Sequence, residues 1–193
     1  MKVEIIDEDV IFDEFFKVHK GKLKFECFDG SMSQAVTRYS FTKSDAVAVL
    51  LYHTVDDTYI LVRQMRYPPV LQQVDPWLIE IVAGGISKGE DVQDAAMREV
   101  EEETGYKPKY IERLMQFYVS PGIMSERITL FYAEVDDACK INHGGGAAHE
   151  DEDTEIVTIP RQDAMTWIES QELGDAKTIL ALQWHALRKN VRT

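Results

Sequence analysis

The sequence predicts an α/β protein, and three stretches carry that prediction. The continuous apolar run AVAVLLY at 46–52 suits a strand that is buried on both faces. A helix is indicated from Asp91, a favourable N-cap, to Gly105, which is the usual residue at a helix end. A second helix, over 176–189, has an apolar stripe at helical spacing. Strands with amphipathic helices packed on them therefore form the predicted core.

Composition and charge exclude several classes of protein. The chain has 193 residues, of which 45% are hydrophobic and 28% charged, enough for one substantial core. Its net charge of −13 argues against a nucleic-acid partner, which needs clustered Lys and Arg. Two cysteines, Cys27 and Cys139, make no disulfide framework and favour a reducing compartment. With no apolar signal-peptide core and no membrane-length run, we expect a cytoplasmic protein without membrane partners.

The first 44 residues differ from the rest of the chain. Apolar residues alternate with Lys, Glu and His between 16 and 27, which predicts short strands. This segment is poor in core residues for its length. We therefore expect residues 1–44 to pack on another surface, such as a second subunit, and residues 45–193 to form the main domain.

Periodicity and turn residues place the other elements. The predicted strands share short apolar runs bounded by turns, at 46–52, 59–65, 77–82, 111–119, 127–135 and 155–159. Helices are predicted at 161–171 and 176–189. Residues 136–153 form a long stretch without periodicity, and such loops are often functional or disordered.

The helix that begins at Asp91 has carboxylates on its apolar side. At about 100° per residue, the apolar stripe centres on Val92, and Glu99 and Glu103 fall roughly 20° on either side of it. Carboxylates facing a core are costly unless a bound cation offsets their charge. The alternative is an ordinary amphipathic helix with a solvated acidic face, which suits Glu101 on the opposite side.

Arg98 and Glu102 lie on one flank of the same helix. Their spacing of four residues allows an ion pair. The helix therefore offers a basic partner for at least one of its acids.

The two core-facing glutamates predict a divalent-metal site. Their oxygen ligands suit Mg²⁺ or Mn²⁺, and no thiolate cluster favours zinc. The Gly84-Gly85 turn allows a close backbone approach, so the Ala83 carbonyl is a further candidate ligand. Such a metal could neutralise a diphosphate and lower the pKa of a bound water.

Outside the helix, two further features are candidates for the site. The acids at 150–153, on the long loop, could supply a last metal ligand and a general base, or could simply be solvated. Arg66, at the end of a predicted strand, either points into the site or lies at the surface. The glycines at 144–146 follow His143 as in some esterases, but no G-x-S-x-G accompanies them.

The stretch GGISKGEDVQDAAMREVEEETGY at 84–106 resembles the Nudix box. The matching positions are Gly84, Glu90, Arg98, Glu99, Val100, Glu102, Glu103 and Gly105, while Tyr106 replaces the usual small aliphatic residue. The Nudix family hydrolyses nucleoside diphosphates linked to another moiety and uses a divalent metal. The resemblance implies a Nudix α/β/α sandwich with a mixed sheet, plus an N-terminal antiparallel β segment used in dimerisation.

Further segments resemble the ADP-ribose pyrophosphatase subgroup of that family. Pro121, 16 residues after Gly105, matches the marker proline of the subgroup. Other similar segments lie at 28–41, 76–84, 120–127 and 181–187. The implied reaction is Mg²⁺-dependent cleavage of ADP-ribose to AMP and ribose 5-phosphate, with GDP-mannose or another nucleotide sugar as the alternative substrate. A non-catalytic nucleotide-sensing module is disfavoured, because all box glutamates are present and no basic helix is.

The resemblance also implies roles for individual residues in catalysis. The implied metal ligands are the Ala83 carbonyl, Glu99, Glu103 and Glu152. Glu102 would help to hold the metal shell, Arg98 would orient the glutamates, and Glu150 would be the base that deprotonates water. Glu150 and Glu152 can exchange these roles, and Glu155 lies near them in sequence.

Substrate contacts are implied at four positions. Arg38 and Arg66 match arginines that bind substrate, Phe15 would stack on adenine, and Glu126 matches an accessory carboxylate. The subgroup forms homodimers in which N-terminal strands swap between subunits, so a homodimer of that kind is the expected assembly. The sequence leaves open the physiological substrate, the number of metal ions and the pathway.

Overall fold

The computed structural model describes residues 1–146 and 153–191, and it divides into two compact units. The first, here called the N-terminal unit, comprises Met1–Asp45 and Tyr118–Arg127. The second, here called the sandwich unit, comprises Ala46–Phe117 and Ile128–Thr193. In the described ranges, no helix has both the length and the apolar character needed to span a bilayer.

Strands and helices follow one another along the chain with short connections. The strands are β1 (Val3–Asp13), β2 (Lys17–Phe25), β3 (Val36–Thr42), β4 (Ala46–His53), β5 (Thr58–Met65), β6 (Trp77–Glu80), β7 (Val82–Gly85), β8 (Glu112–Tyr118), β9 (Arg127–Val135) and β10 (Glu155–Pro160). The helices are α1 (Tyr67–Leu71), α2 (Val92–Thr104), α3 (Ala164–Glu169) and α4 (Ala176–Val191).

The N-terminal unit is built on an antiparallel sheet in the order β1-β2-β3. Opposite charges face each other across β1 and β2, as in the pairs Glu4–Lys24 and Asp9–Lys20. Every residue of β1 is exposed, and all buried hydrophobic residues of the described chain lie outside this unit. Cross-strand pairing, rather than a buried core, therefore stabilises this sheet within one chain.

The sandwich unit contains a mixed sheet between helices. Its strand order is β10-β5-β4-β9-β8, with β6 added to β5 and β7 added to β4. The central strand β4 is parallel to β9 and antiparallel to β5. Val47 and Val49 on β4 pack in the cluster that contains residues of α2, and Ala48 and Leu50 pack in the cluster that contains residues of α4. This arrangement confirms the predicted α/β/α sandwich with a mixed sheet.

Two predicted elements are different in the structure. The strand predicted at 77–82 is divided into β6 and β7, because the Ile81 N–H donates to Thr178 Oγ1 (2.8 Å) while the chain passes from β5 to β4. The helix predicted at 161–171 is a 3₁₀ turn followed by the short α3.

The helix α1 was not predicted. Prolines occupy its first turn, at Pro68 and Pro69, where the backbone N–H groups have no partner within the helix. Prolines also terminate strands, so Pro68 and Pro69 after the predicted strand at 59–65 do not by themselves indicate a helix.

His185, from α4, joins the helix to the sheet. Tyr132 donates its hydroxyl proton to Glu134 (2.8 Å), so its oxygen accepts from His185 Nε2 (3.2 Å). His185 Nδ1 then accepts from the Tyr59 hydroxyl (2.7 Å). This buried network gives both ring nitrogens of His185 a hydrogen-bond partner, so the residue has a structural role between α4 and the sheet.

Candidate active site

The helix α2 begins and ends where the sequence predicts. Asp91 is its N-cap, and the Asp91 carboxylate accepts from the N–H of Gln93 at 2.8 Å and of Asp94 at 3.4 Å. Gly105 follows the last turn with a φ of 70°, a left-handed conformation that favours glycine. These local caps fix which residues of the helix face the sheet.

Glu99 and Glu103 lie in the buried stripe of α2, as predicted. Their exposed fractions are 5% and 1%, beside the fully buried Ala95, Ala96 and Val100. Two carboxylates on consecutive turns of one helix are therefore brought into the interior of the sandwich unit.

Gly84 makes room for one of these carboxylates. A Cβ built at Gly84 would overlap all three atoms of the Glu99 carboxyl group. The carboxylate is therefore packed directly on the backbone of β7. Ala83, the predicted carbonyl ligand, precedes Gly84 in this strand and pairs with Ala48 of β4.

Arg98 joins three carboxylates to one guanidinium group. Its Nη1 donates to Glu99 (2.8 Å) and to Glu102 (2.9 Å), which confirms the predicted ion pair with Glu102. Its Nε and Nη2 donate to the two oxygens of Glu90 at 2.9 and 3.2 Å, and Nη2 also donates to the Gly85 carbonyl at 3.1 Å. The glutamates of the helix are thus tied to the turn that precedes it.

Glu90 was matched in the sequence without an assigned role. Besides Arg98, the Glu90 carboxylate accepts the N–H of Ser87 (2.8 Å). The hydrogen bond from Arg98, followed by that from Ser87, holds the pKa of Glu90 below its usual value. Glu90 therefore stays ionised and anchors Arg98 against the loop.

The donor set of this helix fits a hard divalent cation. It consists of carboxylate oxygens, two of them buried and spaced one turn apart, which suit Mg²⁺ or Mn²⁺. Within residues 1–146 and 153–191, no group of three or more His, Cys, Asp or Glu side chains is arranged to hold a metal. The other predicted ligands of the metal are the Ala83 carbonyl and Glu152.

Glu150 and Glu152 lie outside the described residues. The neighbouring residues on both sides are described, and the Thr154 N–H donates to the Gly145 carbonyl (3.2 Å). The Gly145 N–H in turn donates to the Glu103 carbonyl (2.9 Å). The two ends of the acidic loop are therefore tied together at the C-terminal end of α2.

Arg66 is held by a buried glutamate that sequence analysis did not assign. Its Nε and Nη2 donate to the two oxygens of Glu80 at 2.8 and 3.1 Å, and Lys177 also pairs with Glu80. Burial lowers the pKa of Arg66, but the hydrogen bond and charge of Glu80, with the charge of Glu103, raise it overall. The sequence does contain a signal for Glu80, because it is a charged residue inside an otherwise apolar predicted strand.

Three predicted substrate residues lie in the N-terminal unit. Lys43 Nζ is 5.1 Å from the ring centroid of Phe15 and 4.0 Å from Glu126 Oε1. Arg38 lies on β3 opposite Gly21, and its Nη1 donates to the Thr37 carbonyl (3.1 Å). Phe15 and Arg38 are exposed, whereas Glu126 is half-buried.

An acidic, oxygen-only site on a helix that covers a mixed sheet is typical of enzymes that use a divalent cation on phosphate compounds. Residues 42–186 match the family model described as NUDIX domain. The chain belongs to the Nudix family, and the resemblance of residues 84–106 to the Nudix box is confirmed.

Similar proteins agree with this assignment. An ADP-ribose pyrophosphatase of Escherichia coli (strain K12) is 35% identical over 94% of this chain and 87% of its own length. A protein of the same name from Haemophilus influenzae is 36% identical over 94% and 85%. A GDP-mannose pyrophosphatase of Pectobacterium atrosepticum is 30% identical over 96% and 94%. A crystal structure of an ADP compounds hydrolase shares the fold, with a TM-score of 0.72 and 23% identity over 100% and 98% of the two chains.

Proposed function

We propose that this Nudix hydrolase cleaves the diphosphate of ADP-ribose to AMP and ribose 5-phosphate, with Mg²⁺ or Mn²⁺ as cofactor. Relatives named ADP-ribose pyrophosphatase at 35% and 36% identity, each over 94% of the chain, support this substrate. The observation that carries the proposal is the pair of buried carboxylates, Glu99 and Glu103, of which Glu99 packs on Gly84 of β7.

The helix residues prepare the site for an anionic substrate. Glu99 and Glu103 would hold the cation, together with the Ala83 carbonyl and Glu152, and Arg98 keeps Glu99 and Glu102 oriented. When bound, the cation would neutralise diphosphate charge and lower the pKa of the attacking water. Glu150 accepts the proton of that water in this proposal.

Arg66 is proposed to bind a phosphate of the substrate. Two of its five N–H donors are used by Glu80, so the remaining ones can reach an anion. Because Glu80 holds the guanidinium in place, little side-chain entropy is lost when phosphate binds. The roles of Phe15, Arg38 and Glu126 in substrate binding rest on the family resemblance.

A homodimer with swapped N-terminal strands is part of the proposal. Strand β1 is exposed along its whole length, and it includes Val3, Ile5 and Phe12. Burial of these side chains by a second copy would supply the core that the N-terminal unit lacks.

Two free cysteines, Cys27 and Cys139, favour a cytoplasmic location.

Sedimentation equilibrium tests the dimer. Ile5→Glu should shift the protein to monomer, because a charge would have to be buried in the interface. Val55→Glu, at another exposed hydrophobic residue in the sandwich unit, is the matched control and should sediment as wild type. A wild type that is monomeric at micromolar concentration would overturn this part of the proposal.

GDP-mannose is the second candidate substrate. The Pectobacterium atrosepticum relative named GDP-mannose pyrophosphatase covers 96% of this chain and 94% of its own. A panel of nucleotide sugars in Mg²⁺, with products identified, decides between them. A higher kcat/KM for GDP-mannose than for ADP-ribose would replace the first proposal.

Substitution of Glu103 by Gln tests the site itself. We expect kcat for ADP-ribose to fall on the order of 10³-fold, because one carboxylate of a buried cation site is lost. Circular dichroism should show a folded protein. Wild-type turnover in Glu103→Gln would exclude the assignment, and binding of ADP-ribose without hydrolysis by the wild type would indicate a sensing module instead.

A further inference from the structure

The C-terminal end of α2 is closed by a distant segment. The last carbonyl groups of an α-helix have no partner within the helix. Here the Glu102 carbonyl accepts from Gly146 N (3.1 Å), and the Glu103 carbonyl accepts from Gly145 N (2.9 Å). The Thr104 carbonyl accepts from Lys140 Nζ (2.6 Å). These consecutive carbonyls are thus satisfied from one segment, 140–146, that lies far along the chain.

Glycines are required for this contact. Gly144, Gly145 and Gly146 have φ values of 68°, 108° and 92°, which L side chains rarely adopt. A Cβ on Gly144 would also lie 2.6 Å from the Glu103 carbonyl oxygen and 2.5 Å from the Thr104 carbonyl carbon. The sequence alone gave no reason for this run of glycines. The structure gives one, because side chains here would prevent the close approach to the backbone of α2.

Lys140 and Tyr106 complete the contact. Lys140 Nζ is 4.6 Å from the centroid of the Tyr106 ring, and the two residues form an isolated β-bridge. A cation at the negative end of the helix dipole is also favourable. Tyr106 is the position that departs from the Nudix box, and its aromatic ring packs against the lysine that binds the helix end.

We propose that Lys140 and Gly144–Gly146, here called the C-terminal clamp, position Glu102 and Glu103 for divalent-cation binding. The clamp binds the backbone of the two residues whose side chains belong to the site, so loss of its bonds would let the last turn fray. This inference rests on the proposed function, because it assumes that the helix glutamates hold the cation. In this proposal the clamp residues are not ligands of the cation and act through the backbone of the helix.

Binding of Mn²⁺ alone, measured by electron paramagnetic resonance of the free ion, tests the clamp without turnover. Gly144→Ala should weaken Mn²⁺ binding about 10-fold, as for other residues that support metal ligands. Gly30→Ala is the matched control, since Gly30 has a φ of 84° with nothing near its Cβ position. It should bind Mn²⁺ as wild type does.

Substitutions of Lys140 give a second route if Gly144→Ala fails to fold. Lys140→Met should also weaken Mn²⁺ binding, whereas Lys140→Arg, which can still donate and stack, should retain it. The Mg²⁺ midpoint of activity should rise in Gly144→Ala and Lys140→Met, with KM for ADP-ribose at saturating Mg²⁺ unchanged. A merely structural role would lower the melting temperature and leave both Mn²⁺ binding and the Mg²⁺ midpoint as in wild type.

The Glu103→Gln variant separates failure of the clamp from failure of the proposed function. Loss of Mn²⁺ binding in Glu103→Gln, with wild-type binding in Gly144→Ala and Lys140→Met, would overturn the clamp alone. Wild-type binding in Glu103→Gln would overturn the proposed metal site and the clamp with it. Equal weakening in Gly30→Ala and Gly144→Ala would assign the effect to general strain and overturn the clamp.

Discussion

Two groups of carboxylates in the sandwich unit differ in how their charge is balanced. The Glu80 cluster pairs the carboxylates of Glu80 and Asp175 with the cations of Arg66 and Lys177. The helix cluster, on and before α2, shares one guanidinium among more carboxylates, and its members are Glu90, Arg98, Glu99, Glu102 and Glu103.

The two clusters represent two uses of a buried carboxylate. In the Glu80 cluster, the chain supplies a cation for each acid, so the group can be stable by itself. In the helix cluster, the members carry an excess of negative charge, which is the pattern expected where an external cation completes the site. Burial of an acid is common to both clusters, and charge balance distinguishes them.

The largest expected effect comes from the same substitution made in both clusters. Glu80→Gln should lower the free energy of unfolding by about 3 kcal/mol, because it leaves Arg66 and Lys177 without their shared anion. Glu103→Gln, at a comparably buried glutamate, should cost less without metal, because Glu99 and Glu103 are like charges four residues apart and the helix cluster holds more acids than cations. Urea unfolding of both variants measures the difference.

Equal destabilisation by the two variants would remove the distinction between the clusters. Added Mg²⁺ sharpens the same experiment. It should raise the melting temperature of wild type and of Glu80→Gln, and should not raise that of Glu103→Gln.

The second prediction concerns the contact between β7 and the helix cluster. Gly84→Ala should lower kcat about 100-fold, because the new methyl group displaces the Glu99 carboxylate from its position. Steady-state kinetics measures this loss. Gly174→Ala, where nothing lies near the added Cβ, is the control and should keep wild-type kcat.

A smaller effect is expected from Arg98→Lys. Lysine keeps the positive charge but cannot donate to Glu90, Glu99 and Glu102 in the fork geometry of arginine. We expect kcat/KM to fall about 10-fold. The same change at Arg161, which makes a two-point contact with Asp57, should leave kcat/KM unchanged. A similar loss in both variants would show that arginine geometry at the helix is not special.

The smallest effect is a pH dependence of stability. Burial alone would raise the pKa of Glu80, but the hydrogen bond from Arg66 and the charge of Lys177 hold it below the usual 4.5. Since the folded-state pKa is depressed, this contribution to stability is present above about pH 4.5 and is lost as the pH falls through the folded pKa. When unfolding is measured between pH 3 and 7, the free energy of unfolding should fall less steeply with acid in Glu80→Gln than in wild type. Identical profiles would contradict the prediction.

Much of the fold was predictable because its signals are local. The caps of α2, the burial of Glu99 and Glu103, and the limits of β9 follow from turn residues and periodicity along one segment. The split between β6 and β7 was not predictable in this way. It depends on a hydrogen bond from Ile81 to Thr178, a residue on a helix far along the chain.

The candidate site shows the same division. Helical spacing along the sequence identified the core-facing glutamates of α2 and its Arg98–Glu102 pair. The partner of Arg66, and the residues that close the end of α2, come from other segments. The sequence pattern does not show which distant segment will supply such partners, because tertiary packing brings those segments together.

The family, the α/β class and the helix that carries two core-facing glutamates could all be inferred from the order of the residues. Helical period and capping depend only on residues that are close together in sequence, so the sequence pattern reveals them. Three other features depend on folding in three dimensions: the packing of the Glu99 carboxylate on Gly84, the ion pair of Glu80 with Arg66, and the closure of α2 by the C-terminal clamp. Each of these contacts joins segments separated in sequence, and their geometry exists only once the sheet and helices have packed.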